Sequence, residues 1–175
     1  MRPIAETDRE LYRHLYCNER VMRHISQPFS QTQADKAFET SLKAMTRALQ
    51  HPNIPPSYML WIIANKTSGV TMGVIGLNWN KATPNSAEIG IMMIPKAQGK
   101  QLADEAVTAL IEHSKKSLNI TEIKASFSTK NLATKRIVKK LGFKQRPSGH
   151  PIQEVESRSR ESQVEYFLSL VKKPQ

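Results

Sequence analysis

An α/β fold built on a mixed sheet is predicted by three features of the chain. Residues 87–94 form an apolar run of strand length, residues 99–117 carry apolar side chains at helical spacing, and residues 120–127 alternate. A strand–helix–strand succession of this kind makes its two strands parallel and sets the helix N-terminus at a strand's carboxyl end. Upstream, Tyr58–Ala64 and residues 70–79 are rich in β-branched and aromatic side chains and read as an antiparallel meander leading into that unit. A chain of 175 residues buries about 70% of its unfolded surface as one domain, so residues 1–175 are read as a single domain.

Taken in order, residues 8–16 and 32–49 are predicted helices. In the second, Ala34, Ala37, Phe38, Leu42, Met45 and Leu49 recur at three- and four-residue steps, with Ser30 or Thr32 as cap. Pro52, Pro55 and Pro56 exclude regular structure from the loop that follows. Lys66-Thr67-Ser68-Gly69 is a hairpin turn between the two meander strands, and Pro84-Asn85 marks the next turn. The helix over 99–117 is expected to turn Leu102, Ala106, Ala109, Leu110 and Ile111 inward. A helix over 132–141, a strand at Phe143 and a last strand over 164–171 complete the pattern, with the polar stretch 147–162 read as a long loop.

Composition narrows the partners. The longest uninterrupted apolar run, Tyr58–Ala64, is too short to span a bilayer. The N-terminus lacks the apolar stretch of a signal peptide. Cys17 is the sole cysteine, and His14, His24, His51, His113 and His150 show no metal-ligand spacing with it. These features suggest a cytoplasmic protein, monomer or homodimer, without a metal. The net charge of +11 is uneven: residues 96–175 carry 16 Lys/Arg against 8 Asp/Glu, residues 1–95 only 10 against 7. Between Glu122 and Glu154 no acid interrupts Lys124, Lys130, Lys135, Arg136, Lys139, Lys140, Lys144 and Arg146. Such a region suits an anionic ligand, whether a small phosphate-bearing molecule or an RNA or ribosomal surface, or else is a solvated helix face. An aromatic content of 6% with no basic–aromatic interleaving argues against single-stranded nucleic acid.

Two blocks carry the chemistry. The turn Ala97-Gln98-Gly99-Lys100-Gln101-Leu102-Ala103 joins a strand to a helix N-terminus, whose exposed N–H groups and partial positive charge hold phosphate well. Gly99 permits close approach of backbone to an anion. Downstream, Asn131-Leu132-Ala133-Thr134-Lys135-Arg136-Ile137-Val138-Lys139-Lys140-Leu141-Gly142-Phe143 opens on a capping type and closes on glycine and an apolar residue. In order and spacing the pair resembles the signature regions of the GNAT superfamily of acetyl-CoA-dependent N-acetyltransferases, over roughly residues 1–146. Within it the chain most resembles the branch holding the RimJ/RimL-type ribosomal-protein N-terminal acetyltransferases.

That resemblance implies a GNAT fold whose two parallel strands splay, often at a bulge, to admit the pantetheine arm. It implies a cofactor site of Met92, Met93 and Ile94 along the arm, Gln98, Gly99, Lys100, Gln101, Leu102 and Ala103 at the diphosphate, Asn131 at the pantetheine, and Thr134 near the sulfur. Lys135 and Lys139, on one helix face, are either solvated lysines or partners for the 3′-phosphate. Gln98 and Ala103 fit the family pattern; Gln101 stands where glycine is usual. The family's first strand is longer than Met1-Arg2-Pro3-Ile4 allows, so that strand is either very short or cut by the chain start.

Acetyl transfer to an amine requires removal of a proton from the entering ammonium, a polarised carbonyl, and a proton for the leaving thiolate. Glu88, the one acid between Glu39 and Asp104, is the candidate base. Backbone N–H groups near Met93 are candidates to polarise the carbonyl. Where relatives place a tyrosine acid the chain has Val138, which leaves Thr134, water or Tyr166 as donor, or a thiolate that departs unassisted. The acceptor is a protein N-terminus or a small amine. A catalytically weak acyl-CoA-binding or regulatory module, and an RNA- or ribosome-associated basic protein, are the alternatives.

Overall fold

The computed structural model describes residues 1–147 and 162–171. Most of the polar stretch 147–162 therefore lies outside the described residues. The elements are β1 (Arg2–Pro3), α1 (Arg9–Tyr16), α2 (Glu19–Met22), α3 (Gln31–Gln50), β2 (Tyr58–Ala64), β3 (Thr71–Trp79), β4 (Ser86–Met93), α4 (Leu102–Ser117), β5 (Glu122–Ser128), α5 (Leu132–Lys140), β6 (Lys144–Gln145) and β7 (Gln163–Ser169). The strands form one seven-stranded sheet in the order β1-β2-β3-β4-β5-β7-β6. Only β4 and β5 run parallel; every other pair is antiparallel. This is the α/β architecture that the sequence predicts, and β1 is short, as one of the two readings of Met1–Ile4 has it. Pro3 sits on that edge, where a missing N–H does least harm.

Local chemistry sets the element ends. Ser30, not Thr32, caps α3: its hydroxyl accepts from Gln33 N at 3.2 Å while the Gln33 side chain accepts from Ser30 N at 2.8 Å. The β2–β3 turn is closed by Asn65, whose Oδ1 accepts from Thr67 N and Ser68 N, both at 2.9 Å, and by Gly69 at φ +70°. Phe143 is buried ahead of β6 rather than within it. Two residues expected to face inward do not. Leu49 is exposed near the end of α3, past the reach of the sheet, and Ala109 is exposed on α4, where Val107 and Ser114 take the inner positions instead. The short α2, capped by Asn18, falls in a stretch the periodicity left unassigned.

The two sheet faces differ. Tyr58 interacts with Tyr16 of α1 and Ser41 of α3. Trp61 points the other way and meets His113 of α4 edge-on at 5.7 Å. Lys140 pairs with the buried Asp104 at 2.5 Å and ties α5 to the first turn of α4. The centre of the sheet packs closely: a Cβ at Gly73 would overlap the Met92 carbonyl oxygen, and one at Gly76 would lie 2.9 Å from Met59 O. Gly73→Ala is therefore expected to push β3 from β4 and lower the unfolding free energy by about 1–3 kcal/mol. A urea midpoint equal to the parent's would show that β4 yields freely at this point.

Candidate active site

The site begins where a ladder stops. β4 and β5 pair only at Ser86↔Glu122, Ala87↔Ile123 and Glu88↔Lys124. Beyond this, β4 stays with β3 as far as Gly73↔Met93, and β5 stays with β7 as far as Ser128↔Gln163. The two parallel strands thus part like a V with Glu88 at its vertex. No bulge is involved: the β3–β4 register is continuous from Trp79↔Ala87 to Gly73↔Met93. The alternation of an antiparallel ladder then fixes the directions of the backbone groups. Ile94 N donates to Met72 O at 2.9 Å, so even-numbered residues of β4 bond to β3. The N–H and C=O of Ile91, and the N–H of Met93, consequently point into the gap. A cavity of about 1190 Å³ opens here, lined by β4 from Ala87 to Met92, by β5 from Glu122 to Phe127 except Ile123, and by Asn131, Thr134, Ile137 and Val138 of α5.

At the far end of β4 the chain makes a 3-10 turn, Pro95–Ala97, and then the loop to α4. The Gln98 side-chain Nε2 donates to Met93 O at 3.1 Å, so this side chain braces the loop against the strand. Gly99 has φ +77° and Gln101 φ +60°. Glu105 N makes the first bond of α4, to Gln101 O at 3.1 Å. The N–H groups of Leu102, Ala103 and Asp104 precede that bond and belong to the open first turn. The helix starts at Leu102 rather than Gly99, because two left-handed residues cannot continue into it. Left-handed residues that alternate with right-handed or extended ones turn successive N–H groups to one side, which makes an anion-binding concavity. Gln101, at the family's glycine position, holds a glycine-like conformation without being glycine.

At the cavity's other wall Asn131 caps α5, its Oδ1 accepting from Thr134 N at 3.1 Å. Asn131 and Thr134 both line the cavity, which therefore receives the positive end of α5. Met92 lines it too; Met93 is buried. Tyr166 is not brought to the cavity: it is 2% exposed, stacks on Phe127 at 5.5 Å, and donates its hydroxyl to Gln145 at 3.1 Å. The period of two puts it on the opposite face of β7 from Glu165, which does line the cavity.

Glu88 reaches across the vertex to Ser126, which offers both its hydroxyl and its backbone N–H. Burial pushes the Glu88 carboxyl above its ordinary value and Glu165 adds repulsion, while the Ser126 bonds and Lys124 pull it back. Sequence reasoning missed Ser126, Glu122, Glu165 and Arg146 as cavity residues, because β7's partner and the splay are not visible in a single strand's pattern. It also missed the wall opposite, where Tyr16, Phe29 and Tyr58 join His24 and Ile25 at the cavity. The basic region is less uniform than its composition: Lys140 pairs with Asp104, and Arg146 with Glu122 and Glu165. Among the described residues no helix is long and apolar enough to cross a membrane, and no cluster of His, Cys, Asp and Glu is placed to hold a metal.

Residues 1–144 match the acetyltransferase (GNAT) domain. The chain belongs to that family. It is an acetyltransferase acting on amines with acetyl-CoA as donor. Its fold is shared with solved structures at low identity. A GNAT-family acetyltransferase from Bacillus anthracis is 16% identical with a TM-score of 0.76, covering 97% of this chain and 93% of that one. RimL, a ribosomal L7/L12 α-N-protein acetyltransferase in complex with coenzyme A, is 14% identical with a TM-score of 0.75, covering 96% and 92%. Spermidine N-acetyltransferase from Vibrio cholerae, in complex with CoA and spermine, is 18% identical with a TM-score of 0.74, covering 97% and 94%. At such identity the likeness shows the fold. No curated protein sequence matches the chain.

The left-handed Gln101 generates a prediction. Glycine adopts this conformation without a Cβ penalty. Gln101→Gly is expected to leave the thermal midpoint unchanged or raise it, and to leave CoA affinity unchanged or tighter. Calorimetry giving affinity about tenfold weaker would show that the glutamine side chain itself holds CoA.

Proposed function

We propose that the chain moves the acetyl group of acetyl-CoA to a primary amine, a protein N-terminus or a small amine, by direct attack within a ternary complex. The carrying observation is the opening between β4 and β5 with a carboxylate at its vertex. In this reading the diphosphate rests on the Gln98–Ala103 turn and the pantetheine runs back along β4, taking Ile91 and Met93 as a further strand would. Five residues of strand separate Met93 from Glu88, about 17 Å at the usual rise. The thioester then lies near the vertex, with Met92, Met93 and Ile94 along the arm and Asn131 beside it. Residues 1–175 act as one domain, working in the cytoplasm.

Each chemical requirement has a residue in this arrangement. Glu88 takes a proton from the ammonium, directly or through one water. Its raised pKa suits the task, since a base nearer the working pH shares the proton more evenly with the amine. The nitrogen lone pair then forms the C–N bond as the C–S bond breaks, the electron pair leaves on sulfur, and the second proton shed by the nitrogen passes to the thiolate through Thr134 or water. A strand N–H in the gap polarises the carbonyl. Thr134 and the N-terminal end of α5 face the developing thiolate. The likeness to a ribosomal-protein N-terminal acetyltransferase and to a spermidine acetyltransferase supports both acceptor classes.

Thiol release from acetyl-CoA across a panel of peptides and small amines tests the reading. Turnover with at least one acceptor is expected; tight CoA binding without turnover would instead support an acyl-CoA-binding module. Glu88→Gln keeps shape and removes basicity. Loss of general-base catalysis costs about 10²–10⁴-fold, with CoA affinity nearly unchanged, and the deficit should shrink at high pH as more amine is already neutral. Wild-type turnover at pH 7 in this variant would remove Glu88 from the mechanism.

The same variant has a stability signature. Glu88's folded pKa lies above its unfolded value, so the folded state holds the proton more tightly there. Stability from this group is fully present below the unfolded pKa and falls as pH rises through the folded one. Glu88→Gln should therefore match the parent in acid and exceed it in unfolding free energy near pH 7. A variant less stable than the parent at neutral pH would show that the ionised carboxylate is held favourably.

A further inference from the structure

The cavity contains more acid than the transfer reaction uses. Glu88, Glu122 and Glu165 all line it. Glu88 is held by Ser126, whereas the other two are held by Arg146. Arg146 Nη2 donates to Glu122 Oε1 at 2.7 Å, and its Nε pairs with Glu165 Oε1. The guanidinium lies 4.6 Å over the Phe167 ring, and the backbone of the residue is fixed as well, Arg146 N donating to Glu165 O at 3.0 Å. The side chains of Arg146, Glu122 and Glu165 are 25%, 26% and 18% exposed, so their charges meet in a partly dry setting. Lys124 adds a second cation 4.0 Å from Glu122. Among the described residues, Lys81 and His24 are the remaining titratable cations or imidazoles on the lining, from the β3–β4 turn and the α2–α3 connection.

We propose that Arg146 is the charge-selecting residue of the acceptor cavity. By occupying Glu122 and Glu165 it withholds them from the acceptor, so the cavity takes an amine bearing one positive charge on an apolar or uncharged body and disfavours di- and polyamines. The physical ground is that a second ammonium buried in the cavity needs a carboxylate to compensate its lost hydration. Among the described residues, the two carboxylates of the cavity beyond Glu88 are already paired with Arg146, and Lys124 repels the newcomer. Removing Arg146 takes the paired cation from Glu165 and leaves Glu122 with Lys124 alone, so the site gains a net negative charge that a second ammonium of the acceptor can satisfy. Glu165 lies opposite Ser126 in the β5–β7 register, two strands from the base, so such an acceptor can place one amine at Glu88 and the other at Glu165. The inference rests on the acceptor lying in this cavity, as proposed above.

The test uses 1-aminopentane and 1,5-diaminopentane with acetyl-CoA, comparing kcat/KM for diamine over monoamine. The full-length parent is expected to favour the monoamine. Arg146→Gln is expected to raise the ratio about tenfold or more, through a lower diamine KM with kcat little changed. Arg146→Gln combined with Glu122→Gln and Glu165→Gln should return the ratio toward the parent's. Glu165→Gln alone keeps the arginine and makes the cavity more cationic; it should lower the ratio, and it serves where loss of Arg146 prevents folding. A parent that prefers the diamine, an unchanged ratio in folded Arg146→Gln, or a raised ratio in Glu165→Gln would each overturn the proposal. Parent thiol release with an unmoved ratio overturns this inference alone, whereas no release with any amine overturns the acceptor reading beneath it.

Discussion

The structure depends on one incomplete pairing. β4 and β5 share three residue pairs and then separate, yet neither strand is loose. β4 is held along its whole length by β3, and β5 by β7. Each strand therefore keeps its geometry while presenting backbone groups to a gap, a situation that buried sheets otherwise avoid because unmatched N–H and C=O groups are costly. The gap persists because the flanking antiparallel ladders are stronger determinants of strand direction than the short parallel one. A ligand able to act as a strand gains from those groups what a missing protein strand would have gained.

The remaining features are arranged around that gap. Its wide end meets the loop braced by Gln98 on Met93 O, where Gly99 and Gln101 turn the chain into α4. Its narrow end holds Glu88 against Ser126. α5 closes one side through its N-terminal turn, and its last turn is anchored by Lys140 to Asp104 at the start of α4. The same ion pair thus links the two helices whose N-termini the proposed CoA site uses. Tyr16 and Tyr58, whose hydroxyls burial pushes up in pKa, are neutral walls of the cavity.

Much of this was legible in the chain. The strand–helix–strand succession around Gly99, the Asn131 cap and the Gly142 stop are local, and local signals survive in sequence; Gly142 indeed sits at φ +81°. Glu88 stood out because acids are scarce around it. What was not legible depended on pairing between distant segments. Tyr166 was a reasonable proton donor by residue type, but which face of β7 a residue occupies is fixed by register with β5. The same register brings Glu165 and, through it, Arg146 to the cavity, so one alternation turns Tyr166 away from the cavity and brings two other residues to it. The exposed Leu49 shows the opposite limit: helical spacing identifies a face, but not how far along the helix that face is covered.

The central claim is that acetyl-CoA occupies the gap as an extra strand ending at Glu88. Residue-resolved amide hydrogen exchange, with and without saturating CoA, tests it most directly. The amides of Ile91 and Met93 face the gap and should exchange more slowly when CoA is bound, while those of Gly90 and Met92, already bonded to β3, should change little. Saturable CoA binding that leaves Ile91 and Met93 exchange unaltered would contradict the account and place the ligand elsewhere on the protein.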